Sequence, residues 1–321
     1  MSRTFSVDEL PAIARAWDAA VDRTPGADVF CASSLWSFAA ALCFPVAAPP
    51  IVVGDGRAFC GLRATATDNG GTALVGLDPL WGFATPCVGH PQRAAAMTSQ
   101  RLHAEDHAVA AIAGQRRDSA LTAALVGALE PTHQLFVGPT EHRLRADLRD
   151  GVAGWMSRRS ARFRQRIRRL ERDAAAVGLD VEDMSAAPPD DVINRLLAID
   201  VSTWKGREAT GLSSPELADF YRVMAPGLAS RDQLRVLIAR CGHIDVGYIF
   251  GGIRGDTYRG LQIGYRENAP IGGVGHWLQV RQIERLVEEG IATYDLGMDM
   301  DYKRRWIDEV DESFTLLAVP R

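Results

Sequence analysis

A chain of 321 residues, 47% apolar and 24% charged, holds enough material for two buried cores at roughly 100–200 residues per domain. Its formal net charge of −4 excludes a global attraction to nucleic acid or an anionic membrane, so any such partner must be met by a local patch. No run of 18 apolar residues occurs and the first residues lack a charged-then-apolar leader, so a cytoplasmic chain without a membrane span is expected.

In chain order, Val7 to Val21 reads as a helix and Ser33 to Cys43 as an amphipathic helix carrying Trp36. Pro50 to Leu62 reads as a strand pair, because Gly54-Asp55-Gly56 supplies the positive-φ residues of a hairpin turn. The Gly- and Pro-rich stretch from Trp81 to Pro91 predicts a loop, Asp118 to Leu129 an alanine-rich helix, and Gln134 to Val137 a strand. In the second half, Leu234 to Arg240, Ile244 to Arg254 and Thr257 to Tyr265 are separated by Cys-Gly-His and Gly-Asp turns. They predict a three-strand antiparallel meander. Gly272-Gly273-Val274-Gly275 then opens a helix from about His276 to Glu289, and Ala292 to Leu296 predicts a strand ending at an acidic, glycine-hinged turn. The halves share a plan of strands, helix and strand, which suggests a divergent internal duplication.

Between the halves, Arg158 to Arg172 holds eight arginines against one acid, Glu171, a local charge of +7. Phe163, Ile167, Leu170, Ala174 and Val177 recur at helical spacing, so this segment predicts a helix docked by one apolar stripe with its arginines outward. Those arginines can grip phosphates of a carrier, a nucleotide-linked substrate or tRNA, since a guanidinium matches phosphate oxygens in a bidentate manner; the alternative is pairing with acids elsewhere in the chain.

Other motifs carry little. Cys31, Cys43, Cys60, Cys87 and Cys241 form no C-x-x-C pair and read as reduced, mostly buried thiols. His103 and His107 sit four apart, but without the H-E-x-x-H order they predict a solvated helix face and no metal. Ser202-Thr-Trp-Lys205 spells S-x-x-K without its S-D-N and K-T-G partners, and neither a G-x-S-x-G elbow nor a G-x-x-x-x-G-K-[ST] loop occurs.

A glycine-rich loop feeding a helix offers free N–H groups and a positive dipole end to a phosphate or pyrophosphate, and the following strand brings ionisable side chains beside it. The series Trp155 to Leu170, Trp204-Lys205, Ile263-Gly264-Tyr265, Gly272–Gly275, Asp295-Leu296-Gly297 and Tyr302-Lys-Arg-Arg-Trp306 resembles the FemAB-like branch of the GNAT superfamily, which includes acetyltransferase domains found near cellulose and exopolysaccharide genes. The similarity covers residues 150–310 well and the first 150 residues only in layout. It implies an α+β (α/β mixed) fold with two GNAT-like domains, each a central mostly antiparallel sheet flanked by helices. The expected division is a domain over 1–150, the basic linking helix over 151–180, and the acyltransferase domain over 181–321.

The resemblance also implies an N-acyltransferase that moves an acyl group from an acyl-coenzyme A, acetyl-coenzyme A first, to an amine of a small metabolite or glycan precursor, with no metal. Gly272, Gly273, Val274 and Gly275 would then lie at the pyrophosphate. Lys303 would stabilise the tetrahedral intermediate, and Tyr302 would protonate the leaving thiol. Asp295 and Asp299 would orient the amine and take its proton, while Trp204, Lys205, Tyr265 and Trp306 would line the acceptor side. One departure is Ala269, which stands where enzymes of this kind that bind coenzyme A place Arg or Gln, three residues before the first glycine. Two other readings compete: a Fem-like transferase using aminoacyl-tRNA or a carrier protein docked at Arg158–Arg172, and a non-catalytic module binding nucleic acid or another polyanion there.

Overall fold

In the computed structural model, which describes residues 2–44, 48–203 and 211–321, the chain divides into two units. Met1–His142 with Glu312–Arg321 form the first, and Arg143–Asp311 the second.

The first unit begins with β1 (Arg3–Phe5) and a 3-10 turn over Val7–Glu9, capped by the reciprocal Ser6 and Glu9 contacts of a capping box. Helices α1 (Leu10–Asp22) and α2 (Ser34–Cys43) follow, the latter started by the Ser33 side chain, which accepts from the Trp36 N–H. The predicted hairpin forms as β2 (Ile51–Gly54) and β3 (Ala58–Ala66), with Asp55 accepting from the N–H groups of Arg57 and Ala58.

Beyond it, β4 (Thr72–Gly76), β5 (Cys87–Gly89), α3 (Pro91–Ala104) and β6 (Val109–Gln115) fill a stretch in which the sequence reading marked only a loop. Their strands are too short for a clear two-residue period, and α3 is rich in Ala, Gln and Arg with a weak apolar face. Because α3 ends at Ala104, His103 and His107 do not share a helical face. His103 is exposed, whereas His107 is buried and stacks on His133 with 5.6 Å between ring centroids. After α4 (Ala120–Leu129), β7 (His133–Asp147) runs far past the four-residue strand expected there.

The sheet order in this unit is β1-β2-β3-β4-β6, then the final strand Glu309–Pro320, then β7 up to His142. All described pairings are antiparallel except β4 with β6, the two strands that flank α3. Trp17, Phe38 and Phe59 pack one core, and Cys60, Leu74, Ile112, Leu125 and Leu316 another. None of the five cysteines is in a disulfide. Cys60 and Cys87 face each other across β3 and β5, and burial pushes them up to about 12 and about 11, which keeps them unreactive.

The second unit starts on β7 from Arg143 and continues through α5 (Gly151–Ser157) and α6 (Ala161–Ala176) to β8 (Leu179–Asp183). Helices α7 (Pro189–Asp200) and α8 (Pro215–Ala229) precede the meander β9 (Leu234–Cys241), β10 (Ile244–Arg254) and β11 (Thr257–Tyr265), which forms as predicted. Then come α9 (Val274–Glu288) and β12 (Thr293–Met298). The order is β7-β12-β11-β10-β9-β8, with β11 and β12 parallel and α9 the crossover between them. Each unit is therefore a mostly antiparallel sheet flanked by helices, with one parallel strand-helix-strand step.

The basic helix α6 is docked as its stripe predicts. Phe163, Ile167, Leu170 and Ala174 are buried, and at about 1.5–3 kcal/mol for each large side chain they account for its seat. Val177 is exposed, because the helix ends at Ala176 and the chain turns at Gly178. Among the described residues no helix is long and apolar enough to cross a membrane.

Candidate active site

Parallel pairing between β11 and β12 extends only over Thr257 with Thr293, Tyr258 with Tyr294, and Arg259 with Asp295. Beyond that point β11 runs on to Tyr265 and β12 to Met298 without pairing to each other, so the sheet opens as a V at their C-terminal ends. A crevice at the C-terminal ends of parallel strands is a general ligand position in open sheets. Here it holds a cavity of about 360 Å³. Ile263, Gly264 and Tyr265 of β11 line it, together with Gly273, Gly275, His276 and Gln279 at the start of α9. Arg166 of α6, Thr203, Met300 and Tyr302 complete the wall.

The glycines shape this entrance. Gly273 is the N-cap of α9 at φ 103°, a left-handed conformation that side chains rarely adopt, and a Cβ there would meet Leu170 of α6 at 3.0 Å. No side chain caps the helix, and its first backbone donors have no partner one turn back in the helix. A Cβ at Gly275 would lie 3.0 Å from the ring of Tyr265, a cavity-lining residue that is 40% exposed. The glycines thus keep an electropositive helix start open to the cavity.

Tyr302 follows β12 on a turn. Burial, with Tyr265 nearby, raises its hydroxyl above the usual tyrosine range, and that hydroxyl makes no hydrogen bond to the described residues. Tyr302 lines the cavity, and the raised pKa keeps its hydroxyl protonated at neutral pH. Lys303 points elsewhere, its Nζ donating to the carbonyl oxygens of Leu296 at 2.7 Å and Met298 at 3.2 Å, and so clamps the end of β12. Asp299 accepts from Arg304 at 2.9 and 2.6 Å.

Asp295 is 3% exposed within β12 and does not line the cavity. It accepts from Arg259 at 2.9 Å and Arg143 at 3.5 Å, and from the Gly297 N–H at 2.8 Å; Arg143 in turn donates to Asp311 at 2.5 Å. This buried charge network shapes the turn after β12. Trp306 is wholly buried, with its ring stacked on Trp155 and on His276 and edge-on to Phe163. It is the floor under His276. Trp204 and Lys205 lie outside the described residues.

Among the lining residues that the sequence reading did not single out for the site are His276, Gln279 and Arg166. His276 is held down to about 4 by burial and by the charges of Arg166 and Arg305, so it is neutral at physiological pH. Gln279 is 3% exposed and makes no hydrogen bond to the described residues. Positions three and six after Gly273 fall on one helical face, a spacing that would have singled out both. Arg166 was hidden in a run of eight arginines. In that run Arg158 is bound by Asp150 and Asp308, and Arg159 by Asp308 and the Ile307 carbonyl. Arg162, Arg166, Arg168 and Arg172 are exposed and have no carboxylate partner among the described residues.

Comparison with known proteins accords with this geometry. A family model described as an acetyltransferase (GNAT) domain matches residues 161–304, the span that contains α6, the V and Tyr302. No curated protein sequence matches the chain. Among solved structures, FemX is similar with a TM-score of 0.62 at 12% identity, over 98% of this chain and 96% of that one. A conserved protein of unknown function from Bacteroides thetaiotaomicron VPI-5482 gives 0.63 at 11% identity over 99% of both chains. L-PGS from Bacillus licheniformis gives 0.52 at 13% identity, over 83% of this chain and 82% of that one. At these identities the likenesses show a common fold. Residues 161–304 thus match an acetyltransferase (GNAT) domain, and the chain as a whole shares its fold with FemX.

Proposed function

We propose that the protein transfers an acyl group from an acyl-coenzyme A, with acetyl-coenzyme A the first donor to try, to an amine of a small metabolite or glycan precursor. The observation that carries this reading is the V between β11 and β12, in which a glycine-opened helix start and the Tyr302 hydroxyl face one cavity. The donor's pyrophosphate lies at Gly272–Gly275 and its arm runs along the unpaired end of β11 towards Tyr302. The amine nitrogen attacks the thioester carbonyl carbon, the carbon–sulfur bond breaks, and Tyr302 gives its proton to the departing thiolate.

The proton lost by the amine passes to water; in this reading Asp299, held by Arg304 and next to the lining residue Met300, orients the amine, and the lining residues Tyr265 and Thr203 meet the acceptor. Lys303 and Asp295 act through the turn they hold, which places Tyr302. A thioester already has a good leaving group, so alignment and one proton transfer supply most of the rate.

Calorimetric titration with coenzyme A and acetyl-coenzyme A at two salt concentrations tests the donor. Micromolar binding is expected, and it should be lost in a Gly275→Leu variant, whose side chain would collide with Tyr265 and fill the entrance. For the chemistry, Tyr302→Phe should lower kcat by about 10²–10³ with KM for the donor little changed. An unchanged kcat would remove Tyr302 from the reaction.

A second reading is supported by the exposed arginines of α6. Arg162, Arg166, Arg168 and Arg172 suit an aminoacyl-tRNA or carrier-bound donor, and absence of coenzyme A binding at either salt would favour it.

A further inference from the structure

The reading above leaves two cavity-lining side chains without a task. Gln279 stands one turn into α9, nine-tenths and more buried, with its amide reaching the cavity surface and bonded to none of the described residues. A cavity-lining amide with no partner among the described residues is open to a ligand that enters. Arg166 reaches the same cavity from α6, on the helix flank that also carries Arg162 and Arg169. Arg158 and Arg159, a few residues earlier, are consumed by carboxylates, whereas Arg166 has none among the described residues.

A guanidinium beside an uncapped helix start creates a strongly positive corner, and the imidazole of His276 between them is held in its neutral form. The loop itself contributes no cation at the position where Ala269 stands. A cation from a different element, Arg166 of α6, lines the cavity instead.

We propose that Arg166 and Gln279 are donor-binding residues placed in series along the cleft. Arg166 closes over a diphosphate that lies on the first N–H groups of α9, and Gln279, one turn deeper, pairs with an amide of the pantetheine arm. The assignment rests on the acyl-coenzyme A reading. It predicts a graded response along the donor, because the two side chains meet different parts of it. A charge-assisted bidentate contact contributes more than a neutral amide pair, so Arg166 governs affinity and Gln279 the register of the arm.

The test measures dissociation constants of coenzyme A, 3′-dephospho-coenzyme A and pantetheine for the wild type, Arg166→Ala, Arg166→Gln, Gln279→Leu and, as a control on the surface of α8, Arg222→Ala. Arg166→Ala and Arg166→Gln should weaken coenzyme A and its 3′-dephospho form alike, by about 10–100-fold, and leave pantetheine unchanged. Gln279→Leu should weaken all three, by about 5–10-fold. Arg222→Ala should change none.

If the wild type binds coenzyme A and the Arg166 variants bind it as well, the proposal is wrong and the acyl-coenzyme A reading stands. A loss seen with coenzyme A but not with its 3′-dephospho form would move Arg166 to the 3′-phosphate and overturn the diphosphate placement. Equal binding of pantetheine by Gln279→Leu would remove that residue from the arm. If the wild type binds none of the three, the donor reading and this inference fall together. An NMR titration of His276 supplies a readout independent of affinity: removing Arg166 should move its pKa upward from about 4, and an unmoved value would place the guanidinium away from the corner.

Discussion

His276 shows how one residue ties the site to stability. Its pKa in the fold lies near 4, below the ordinary 6.5, because burial and the Arg166 and Arg305 charges disfavour the imidazolium. Between those values the unfolded chain takes up a proton that the folded one refuses, so stability rises with pH across that window. The contribution is complete above about pH 6.5 and is lost as pH falls towards 4. Unfolding free energies measured from pH 7 to 4 should drop on the order of 2 kcal/mol further in the wild type than in His276→Gln, allowing for partial solvent screening. Equal slopes would show that His276 titrates normally. Asp295 makes the complementary case. Asp295→Ala removes the carboxylate that buried Arg143 and Arg259 share, leaving Arg143 with Asp311, and should cost about 3–5 kcal/mol. A variant that melted like the wild type yet lost kcat would assign Asp295 to chemistry instead.

At the scale of elements, the start of α9 decides whether there is a site. Gly273→Ala puts a Cβ at 3.0 Å from Leu170 and forces a left-handed backbone on a residue that resists it, a cost of about 1–3 kcal/mol. The strain can be relieved only by shifting α6 or the loop, so donor affinity should fall together with thermal stability. A variant that keeps wild-type affinity would show that the loop conformation is not needed for binding. The matching helix of the first unit differs at this point. α3 starts with Pro91, which has no N–H to offer, and no side chain caps it. Both units share the strand-helix-strand step, yet only α9 opens on glycines.

For the molecule as a whole, the chain order has a consequence for stability. The first unit is completed by residues from the far end of the sequence. Phe314, Leu316 and Ala318 of the final strand are buried in its core, and that strand pairs with β6. Deleting Glu312–Arg321 removes these side chains and bares the edge of β6, at a cost of several kcal/mol by area alone. The shortened protein should lose the protease resistance of Met1–His142, and fragments that survive as in the full chain would refute this dependence.

What the sequence determined by itself was whatever rests on local periodicity and turn chemistry. The meander over Leu234 to Tyr265, the hairpin at Asp55, the stripe of α6 and the glycine start of α9 were all legible, since each is set by residues within one or two turns of each other. The β4-α3-β6 step was not, because its strands are short and α3 has a weak apolar face. Tertiary structure alone decided which ionisable groups meet. Asp295 and Tyr302 are seven residues apart, yet pairing with Arg143 and Arg259 turns the first into a buried strut, while the second lines the cavity with a hydroxyl bonded to none of the described residues. Arg166 and Gln279 come to one cleft because α6 packs its apolar stripe against α9, with Leu170 where a Cβ on Gly273 would stand, a juxtaposition that no spacing within either helix encodes.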